Sequence, residues 1–360
     1  MTSPALRVEV VALADSARWT APWRDLAARA QPNVFAEPAF VLSALRRLAE
    51  GRDIRLVFVS RGATLIGAAA IAPPRIPLGF ARVWKSEQAA LPAALVDPDE
   101  AGAALDALRA WVGDAFPRAA GLVIPNVERG SPLARAPQGV ELAGFARAAL
   151  RLDASAGPEG ESAKRRKEAR RLERRLAERG PVELRSGADD DAIEQFLKLE
   201  AHGWKGARGT ALTSQAKRGA FAREMLAAFA REGRLEIFAL FVAGEPAAAG
   251  VLLRSGRRGF FWKTAYDERF ADFSPGAALT RALSRRLVSD GVLDLVDSCA
   301  APDHPMIDRL WADRLDFADL AVALGSPIRF RAALAAERIF RRARESIKRL
   351  ALPLLRGKRA

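Results

Sequence analysis

The sequence predicts an α/β (α+β) protein built from two similar domains, each a mixed sheet flanked by helices. Three observations lead to this prediction. A length of 360 residues exceeds one ordinary core and suits two domains. Half of the residues are hydrophobic, which is enough to bury both cores. The same succession of elements is expected twice along the chain: strand, two helices, hairpin, strand, helix, strand.

The first succession lies in the N-terminal part of the chain. Alternating apolar residues indicate strands, and Pro38 suits the first turn of a helix. Arg61-Gly62 is a hairpin turn with glycine at the bend. The expected elements, in order, are a strand at 6–13, helices at 16–30 and 38–50, a hairpin of strands 54–60 and 64–71, strands near 83–85 and 94–96, a helix at 101–115 and a strand at 121–125.

The second succession repeats this order. Acidic residues open its first helix, where the helix dipole favours them, and Gly233 follows its second helix as a C-cap. The expected elements are a strand at 182–185, helices at 190–204 and 214–231, a hairpin of strands 235–242 and 247–253, a strand at 259–267, a helix at 274–289 and a strand at 293–297. The repeat predicts domains at 1–150 and 151–328, followed by a tail at 329–360.

The net charge of +14 is concentrated in two segments. Residues 162–180 carry nine basic and three acidic groups, and residues 331–360 carry ten basic and two acidic groups. The remaining residues carry equal numbers of each sign. A general nucleic-acid-binding surface is therefore not expected, and nucleic acid is an unlikely partner. The segment 162–180 is either a solvated linking helix or an arm that contacts phosphate or another polyanion.

Several classes of chemistry are excluded by what the chain lacks. Cys299 is the only cysteine and the only histidines are His202 and His304, so neither a disulfide nor a His/Cys metal site is expected. No nucleophile elbow, P-loop or zincin motif occurs. Cys299 is expected to be a packed small hydrophobe. No export signal or long apolar run is evident, and we expect the protein to be cytoplasmic.

Three patches carry residues suited to chemistry. The first is Gly203-Trp204-Lys205-Gly206, the second is the strand at 260–267, and the third is the turn at 273–279. Lysine is rare, with nine lysines against 48 arginines, yet Lys205 and Lys263 each follow a tryptophan. Lysine offers a compact charge and a pKa that burial can lower.

The strand patch holds Tyr266, the only tyrosine of the chain. Strand alternation would place Trp262, Thr264 and Tyr266 on one face and Lys263, Ala265 and Asp267 on the other. A core strand with a surface pair between Lys263 and Asp267 explains the same residues.

The turn at Ser274-Pro275-Gly276-Ala277 is typical of a helix start, with serine as N-cap and proline at the first helical position. Exposed N–H groups at such a start can bind an anion. Arg269 before the turn and Arg281 within the helix would supplement that site. An ordinary capped helix fits these residues equally well.

The succession Trp204-Lys205-Gly206, Lys263 to Asp267, Ser274-Pro275-Gly276, Asp297 and Trp311 resembles the cellulose-biosynthesis-type acetyltransferase family. That family belongs to the GNAT superfamily and is related to the Fem peptidyltransferases. The resemblance implies two tandem GNAT-like domains with largely antiparallel sheets, the first without a donor site. It also implies that the second domain binds acetyl-CoA or another acyl-CoA as a cosubstrate, with no permanently bound cofactor and no metal.

The expected activity is acyl transfer to an amine or hydroxyl of a small-molecule or saccharide acceptor, with a role in envelope or exopolysaccharide biosynthesis. Lys263 would stabilise the developing negative charge, and Asp297 would receive the acceptor's proton, with Asp267 as the alternative that could exchange roles with it. Tyr266 is a further catalytic candidate. Trp204, Lys205 and Trp262 would bind the acceptor. Two alternatives stay open: a non-catalytic binding protein with this fold, and a Fem-like transferase that uses aminoacyl-tRNA.

The tail is predicted to form a basic amphipathic helix. Its apolar residues recur at steps of three and four, with arginines and lysines between them: Phe340, Ala343, Ile347, Leu350 and Leu354. Residues 331–360 could lie on the anionic inner face of a membrane, dock on the protein's own domain, or be a frayed end of the chain.

Overall fold

The fold is a large twisted mixed sheet with helices on both faces. The computed structural model describes residues 5–135, 139–152, 162–203, 206 and 208–356. The described strands are β1 Leu6–Val11, β2 Arg55–Arg61, β3 Thr64–Ala72, β4 Phe80–Val83, β5 Ala94–Val96, β6 Gly121–Glu128, β7 Val140–Arg151, β8 Val182–Gly187, β9 Leu235–Val242, β10 Glu245–Ser255, β11 Arg258–Tyr266, β12 Leu295–Asp297 and β13 Asp313–Ala323. The described helices are α1 Thr20–Arg29, α2 Pro38–Leu48, α3 Ala101–Ala115, α4 Ala163–Ala177, α5 Asp190–His202, α6 Ala216–Arg231, α7 Pro275–Asp290, α8 Ile307–Leu310 and α9 Pro327–Arg356.

The sheet consists of two similar lobes joined edge to edge. The strand order is β1-β2-β3-β4-β6-β13-β7-β12-β11-β10-β9-β8, with β5 paired to β3. We call residues 5–135 the N-terminal lobe and residues 162–310 the C-terminal lobe. In each lobe one parallel pair, β4 with β6 or β11 with β12, interrupts otherwise antiparallel pairing. The predicted duplication of elements and the mixed α/β fold are confirmed.

The two lobes exchange their last strands. β7 follows the N-terminal lobe in the chain but pairs with β12 of the C-terminal lobe, and β13 pairs with β6 of the N-terminal lobe. β7 and β13 also pair with each other at the centre of the sheet. The sequence did not predict either strand. Each predicted domain thus contributes one strand to the other half of the sheet. The domain boundaries at 150 and 328 stay a prediction.

Local sequence explains several boundaries. Pro38 occupies the first turn of α2, and the Asp189 side chain accepts a hydrogen bond from the Ala192 N–H at the start of α5. At the β9–β10 turn Ala243 and Gly244 both adopt positive φ, 51° and 84°, as a two-residue hairpin turn requires. Glycine meets this requirement without steric cost, which explains why Gly244 occurs between the two strands of the predicted hairpin.

A shared core unites the lobes. Helices α1, α2, α5 and α6 cover one face of the sheet, where Phe40 of α2 packs against Phe221 of α6 at 5.3 Å between ring centroids. On the other face, α3 covers the N-terminal lobe, while α4, α7 and α8 cover the C-terminal lobe. The predicted tail helix is present as α9, which packs on β4, β6 and β13.

Candidate functional site

The candidate site is an open cleft in the C-terminal lobe with a volume of about 790 Å³. Its walls come from five parts of the chain. These are residues 165–172 of α4, 199–203 at the end of α5, 264–266 at the end of β11, 271–281 around the start of α7, and the loop and short helix at 304–310. The predicted helix start at Ser274-Pro275-Gly276-Ala277 therefore faces open space, and β11 ends beside it.

Two parallel strands separate at the cleft. β11 and β12 are paired only at Arg258, Gly259 and Phe260, after which β12 ends and β11 continues to Tyr266. A β-bulge lies at the point of separation, because Phe261 and Lys263 pair with consecutive residues of β10 and Trp262 is left over. A bulge bends its strand and leaves backbone groups outside the ladder. Backbone polar groups are thus available where the strands separate.

The bulge also changes which side chains share a face. Trp262 and Ala265 belong to the core shared by both lobes, whereas Phe261 and Tyr266 pack on the α7 side. The predicted common face of Trp262 and Tyr266 is therefore wrong. The extra residue shifts the alternation between them, and strand alternation holds only while the ladder is regular.

The start of α7 offers few N–H groups to a ligand. Ser274 is the N-cap and Pro275 the first residue of α7, as predicted, but Ser274 has a left-handed backbone (φ 52°, ψ 55°) and its side chain makes no capping hydrogen bond. The backbone N–H groups of Ala277 and Ala278 instead donate to the Ser274 carbonyl at 3.0 and 3.1 Å. Pro275 has no N–H. Among the described residues, only the Gly276 N–H in this first turn has no backbone partner.

The cleft is lined by more basic than acidic side chains. Arg165 of α4 and Arg309 of α8 are exposed at its walls, and Arg281 of α7 lies 2.8 Å from the Glu173 carboxylate. Glu168 and Glu200 also line the cleft, so its excess of positive charge is small, and the exposed Arg165 and Arg309 are the groups that would attract an anionic ligand. Arg269, also predicted for this role, does not line the cleft. It forms ion pairs with Asp267 at 2.7 Å and Glu245 at 3.4 Å.

Four side chains with proton-transfer chemistry line the cleft: Tyr266, Glu200, His304 and Glu168, of which Glu168 is ion-paired with Arg171 at 2.6 Å. Tyr266 was predicted. Glu200 is only 3% exposed, and one of its carboxylate oxygens accepts a hydrogen bond from the Leu212 N–H at 2.7 Å. His304 Nδ1 accepts long hydrogen bonds from the backbone N–H groups of Met306 and Ile307, each at 3.4 Å. Sequence reasoning missed Glu200. A carboxylate on the apolar side of α5 was the available signal, since buried acids are rare.

Asp297 lies outside the cleft, in the seam between the lobes. It is fully buried, and its carboxylate lies 2.6 Å from Arg147 and 3.2 Å from Arg258. Arg258 continues the network to Glu128 of the N-terminal lobe at 2.6 Å. Burial alone would raise the pKa of Asp297, but the charges of Arg147 and Arg258 outweigh it and hold the pKa below its ordinary value. The carboxylate is committed to two arginines and is not placed to receive a proton from a ligand in the cleft.

The other predicted site residues are distributed around the cleft. Lys263 lies on β11 beyond its last pair with β12, with Nζ 5.5 Å from the centroid of the Trp262 ring, and does not form the cleft wall. Trp262 is 6% exposed and donates to the Gln88 carbonyl at 2.8 Å. The hydrogen bond from Arg269 lowers the pKa of Asp267. Trp204 and Lys205 lie outside the described residues.

Comparison with known proteins identifies the class of fold. Residues 163–304 match the family model described as an acetyltransferase (GNAT) domain. The comparison with curated proteins gives no match.

Three solved structures align over most of their length. FemX has a TM-score of 0.52 at 11% identity over 87% of this chain and 97% of its own. The C-terminal domain of a putative lysylphosphatidylglycerol synthetase from Agrobacterium fabrum has a TM-score of 0.53 at 14% identity, over 90% of this chain and 96% of its own. A conserved protein of unknown function from Bacteroides thetaiotaomicron has a TM-score of 0.54 at 14% identity, over 88% of this chain and 100% of its own. At these identities the likenesses show the fold alone, and that fold is GNAT. Membership of the cellulose-biosynthesis-type family stays a prediction.

Proposed function

We propose that the chain is a GNAT-type acyltransferase that moves an acyl group from an acyl-CoA to an amine or hydroxyl acceptor in the cleft of the C-terminal lobe. The observation that carries the proposal is the arginine-lined cleft at the start of α7, beside the point where β11 and β12 separate. A strand–helix start of this kind suits a phosphate-bearing donor.

The donor's phosphates would bind where the positive charges converge. Arg165, Arg281 and Arg309 line the cleft together with Gly276 at the start of α7. The Gly276 N–H belongs to the positive end of the helix dipole, so it adds to the attraction for a phosphate. The acyl thioester would extend towards the gap between β11 and β12. There a backbone N–H released by the bulge at Trp262 would polarise the thioester carbonyl.

Transfer requires two proton movements. The acceptor's nitrogen or oxygen attacks the carbonyl carbon, and its proton passes to the Glu200 carboxylate. The carbon–sulfur bond then breaks, and the leaving thiolate takes a proton from the Tyr266 hydroxyl. Lys263, close to the same gap, would stabilise the negative charge of the intermediate. Asp267 would orient β11 through its bond to Arg269, and Asp297 would hold the seam between the lobes.

The acceptor is proposed to be a small amine or hydroxyl compound, with saccharides of envelope polysaccharides among the candidates. Trp204 and Lys205 keep their proposed role at the acceptor end. Trp262 would pack and not bind the acceptor, because its ring lies in the shared core and its indole N–H donates to the Gln88 carbonyl.

A matched pair of variants tests donor binding. Ala277→Asp puts a carboxylate at the third position of α7, and Ala103→Asp does the same in α3 of the N-terminal lobe. Both changes suit their helix dipoles, so both proteins should fold normally. Isothermal titration with acetyl-CoA and longer acyl-CoAs should show that Ala277→Asp weakens binding at least about tenfold, because like charges repel, and that Ala103→Asp has no effect. Absence of binding by the unaltered protein, or equal loss in both variants, contradicts the proposal.

One observation favours a second candidate, a Fem-like transferase whose donor is aminoacyl-tRNA. The wall formed by α4 presents exposed basic side chains at Lys167, Arg170 and Arg174 next to a wide surface groove. A polyanionic carrier would bind there with an affinity that falls steeply with salt. Neutralising these three side chains should then abolish tRNA binding, whereas an acyl-CoA enzyme would keep its turnover. If the chain is instead a non-catalytic binding protein with this fold, it should bind an acyl-CoA without transferring the acyl group, so that the thioester stays intact.

A further inference from the structure

Helix α9 is held to the N-terminal lobe by one face. Phe330 and Leu334 are each 7% exposed, and the Phe330 ring lies 6.0 Å from that of Phe80 between centroids. Further along the same face, Glu337 forms an ion pair with Arg82 at 2.7 Å and Arg341 with Asp319 at 2.5 Å. These four positions follow each other at steps of four, three and four, so they form one stripe that docks on the protein.

The opposite face of α9 is apolar and exposed. Ile328, Ile339 and Phe340 are 80%, 67% and 63% exposed, which makes α9 the site of three of the most exposed large hydrophobic side chains among the described residues. Exposed Ala332, Ala335 and Ala343 extend the stripe that Ile328 and Ile339 begin, and Ala336 and Phe340 lie beside it on the flank away from Arg338. Positions 328, 332, 335, 339 and 343 again follow steps of three and four. An amphipathic helix usually turns its apolar face to the core, and α9 also turns one to solvent.

A basic edge runs along this outer stripe. Arg331, Arg338 and Arg342 are exposed and lie on one side of it. Glu337, one of the two acidic residues of α9, is on the docked face and is engaged by Arg82 and Arg341. No helix among the described residues is long and apolar enough to cross a bilayer. A helix with an apolar stripe and a cationic edge suits the plane of an anionic membrane surface, where both features are satisfied together.

We propose that the outer face of α9 binds an anionic lipid surface, with Ile339 and Phe340 inserted among the acyl chains and Arg331, Arg338 and Arg342 at the lipid phosphates. A second copy of the chain fits less well, because its own arginines would bring like charges into the interface. The inference does not depend on the proposed transferase activity.

Sedimentation of the full chain with vesicles tests the inference. Vesicles of phosphatidylcholine mixed with phosphatidylglycerol should bind the protein, and pure phosphatidylcholine vesicles should bind it much less. The double variant Ile339→Ser, Phe340→Ser should lower the partition coefficient at least about tenfold, because both apolar contacts are lost. Arg338→Gln with Arg342→Gln should lower it about tenfold and remove most of the salt dependence.

Matched controls come from exposed residues of the C-terminal lobe. Val292→Ser and Arg285→Gln change comparable exposed side chains away from α9 and should leave vesicle binding unchanged. Thermal unfolding shows that each variant is folded. Equal binding by the Ile339/Phe340 variant, or no preference for phosphatidylglycerol, overturns the inference. So does a dimer in solution that these substitutions dissociate without any vesicle binding, because that result assigns the face to a second copy.

Discussion

The two lobes begin equivalent helices with nearly the same residues but surround them differently. α3 starts Ala101-Gly102-Ala103-Ala104-Leu105 and α7 starts Pro275-Gly276-Ala277-Ala278-Leu279. The start of α7 opens into the cleft of about 790 Å³. The cavity beside Ala104 of α3 has only about 10 Å³. Ala104 and its counterpart Ala278 are similarly buried, at 1% and 5% exposed, so the two helix starts differ in the open space beside them and not in their own burial.

The surrounding charges differ in the same sense. Acidic residues precede α3, where Glu100 is held by Arg61 through two bonds of 2.9 Å and Asp97 by Arg29 at 3.0 Å. Negative charges therefore already lie near the positive end of this helix, although the Glu100 side chain makes no capping hydrogen bond. Arginines surround the start of α7 instead. β4 also has only four residues against nine in β11, and the longer connection after it forms β5, which packs against α3. Neighbouring residues therefore decide whether a helix start can bind an anion.

The largest expected effect comes from making the seam of the C-terminal lobe resemble its counterpart. Asp297 is the third residue of β12 paired with β11, and apolar Val123 takes the matching place in β6 beside β4. Asp297→Val should lower the free energy of unfolding by about 3–5 kcal/mol, because buried Arg147 loses its ion-pair partner and buried Arg258 keeps only Glu128. Chemical denaturation measures the change.

The control is Asp294→Val on the preceding loop. Asp294 pairs with Arg257 in solvent, with 65% of its side chain exposed, and its loss should not move the denaturation midpoint measurably. Equal effects of the two substitutions would show that the Asp297 network does not stabilise the seam.

The same carboxylate predicts a pH dependence. The folded-state pKa of Asp297 is held below its unfolded value of about 3.9. Its stabilising contribution should therefore be complete above that pH and disappear as the pH falls through the lower folded-state pKa. The difference in unfolding free energy between the wild type and Asp297→Val should be constant near neutrality and shrink in acid. A difference that grows with acid would reverse the sign and contradict the ion-pair assignment.

A comparison of two lysines sharpens the functional difference between the lobes. Trp84-Lys85 follows β4 directly, and Trp262-Lys263 lies in β11. Lys263→Ala should lower the transfer rate about a hundredfold, the typical cost of removing a group that stabilises the developing charge. Lys85→Ala should leave the rate unchanged, because the Lys85 ammonium donates to the Ala89 carbonyl within the N-terminal lobe. Equal rates for both variants would remove Lys263 from the proposed mechanism.

The smallest effect concerns the arginines at the cleft wall. Arg309→Gln should weaken acyl-CoA binding about fivefold, because one exposed cation contributes modestly to phosphate binding. The loss should be greater at low salt. Arg118→Gln, which changes an exposed arginine of the N-terminal lobe, is the control and should not alter binding. Titration at two salt concentrations measures both.

Much of the architecture was predictable because it rests on local signals. Pro38, Gly62 and the turn at Ala243-Gly244 mark element boundaries through backbone geometry that neighbouring residues set. The hairpins and helices of both lobes were predicted for this reason. β7 and β13 were missed, although they have 12 and 11 residues. Their partners lie far away in the chain, so no local pattern indicated that they belong at the centre of the sheet.

The sequence by itself determined the duplicated order of elements, the start of α7 at Pro275 and the position of Tyr266 at the end of β11, since each depends on residues close together in the chain. Only the tertiary structure decided which groups meet. It placed Asp297 between two buried arginines, brought Glu200 to the cleft and left an apolar face of α9 in solvent. Burial and charge pairing depend on residues that are distant in sequence, and a local pattern carries no information about them.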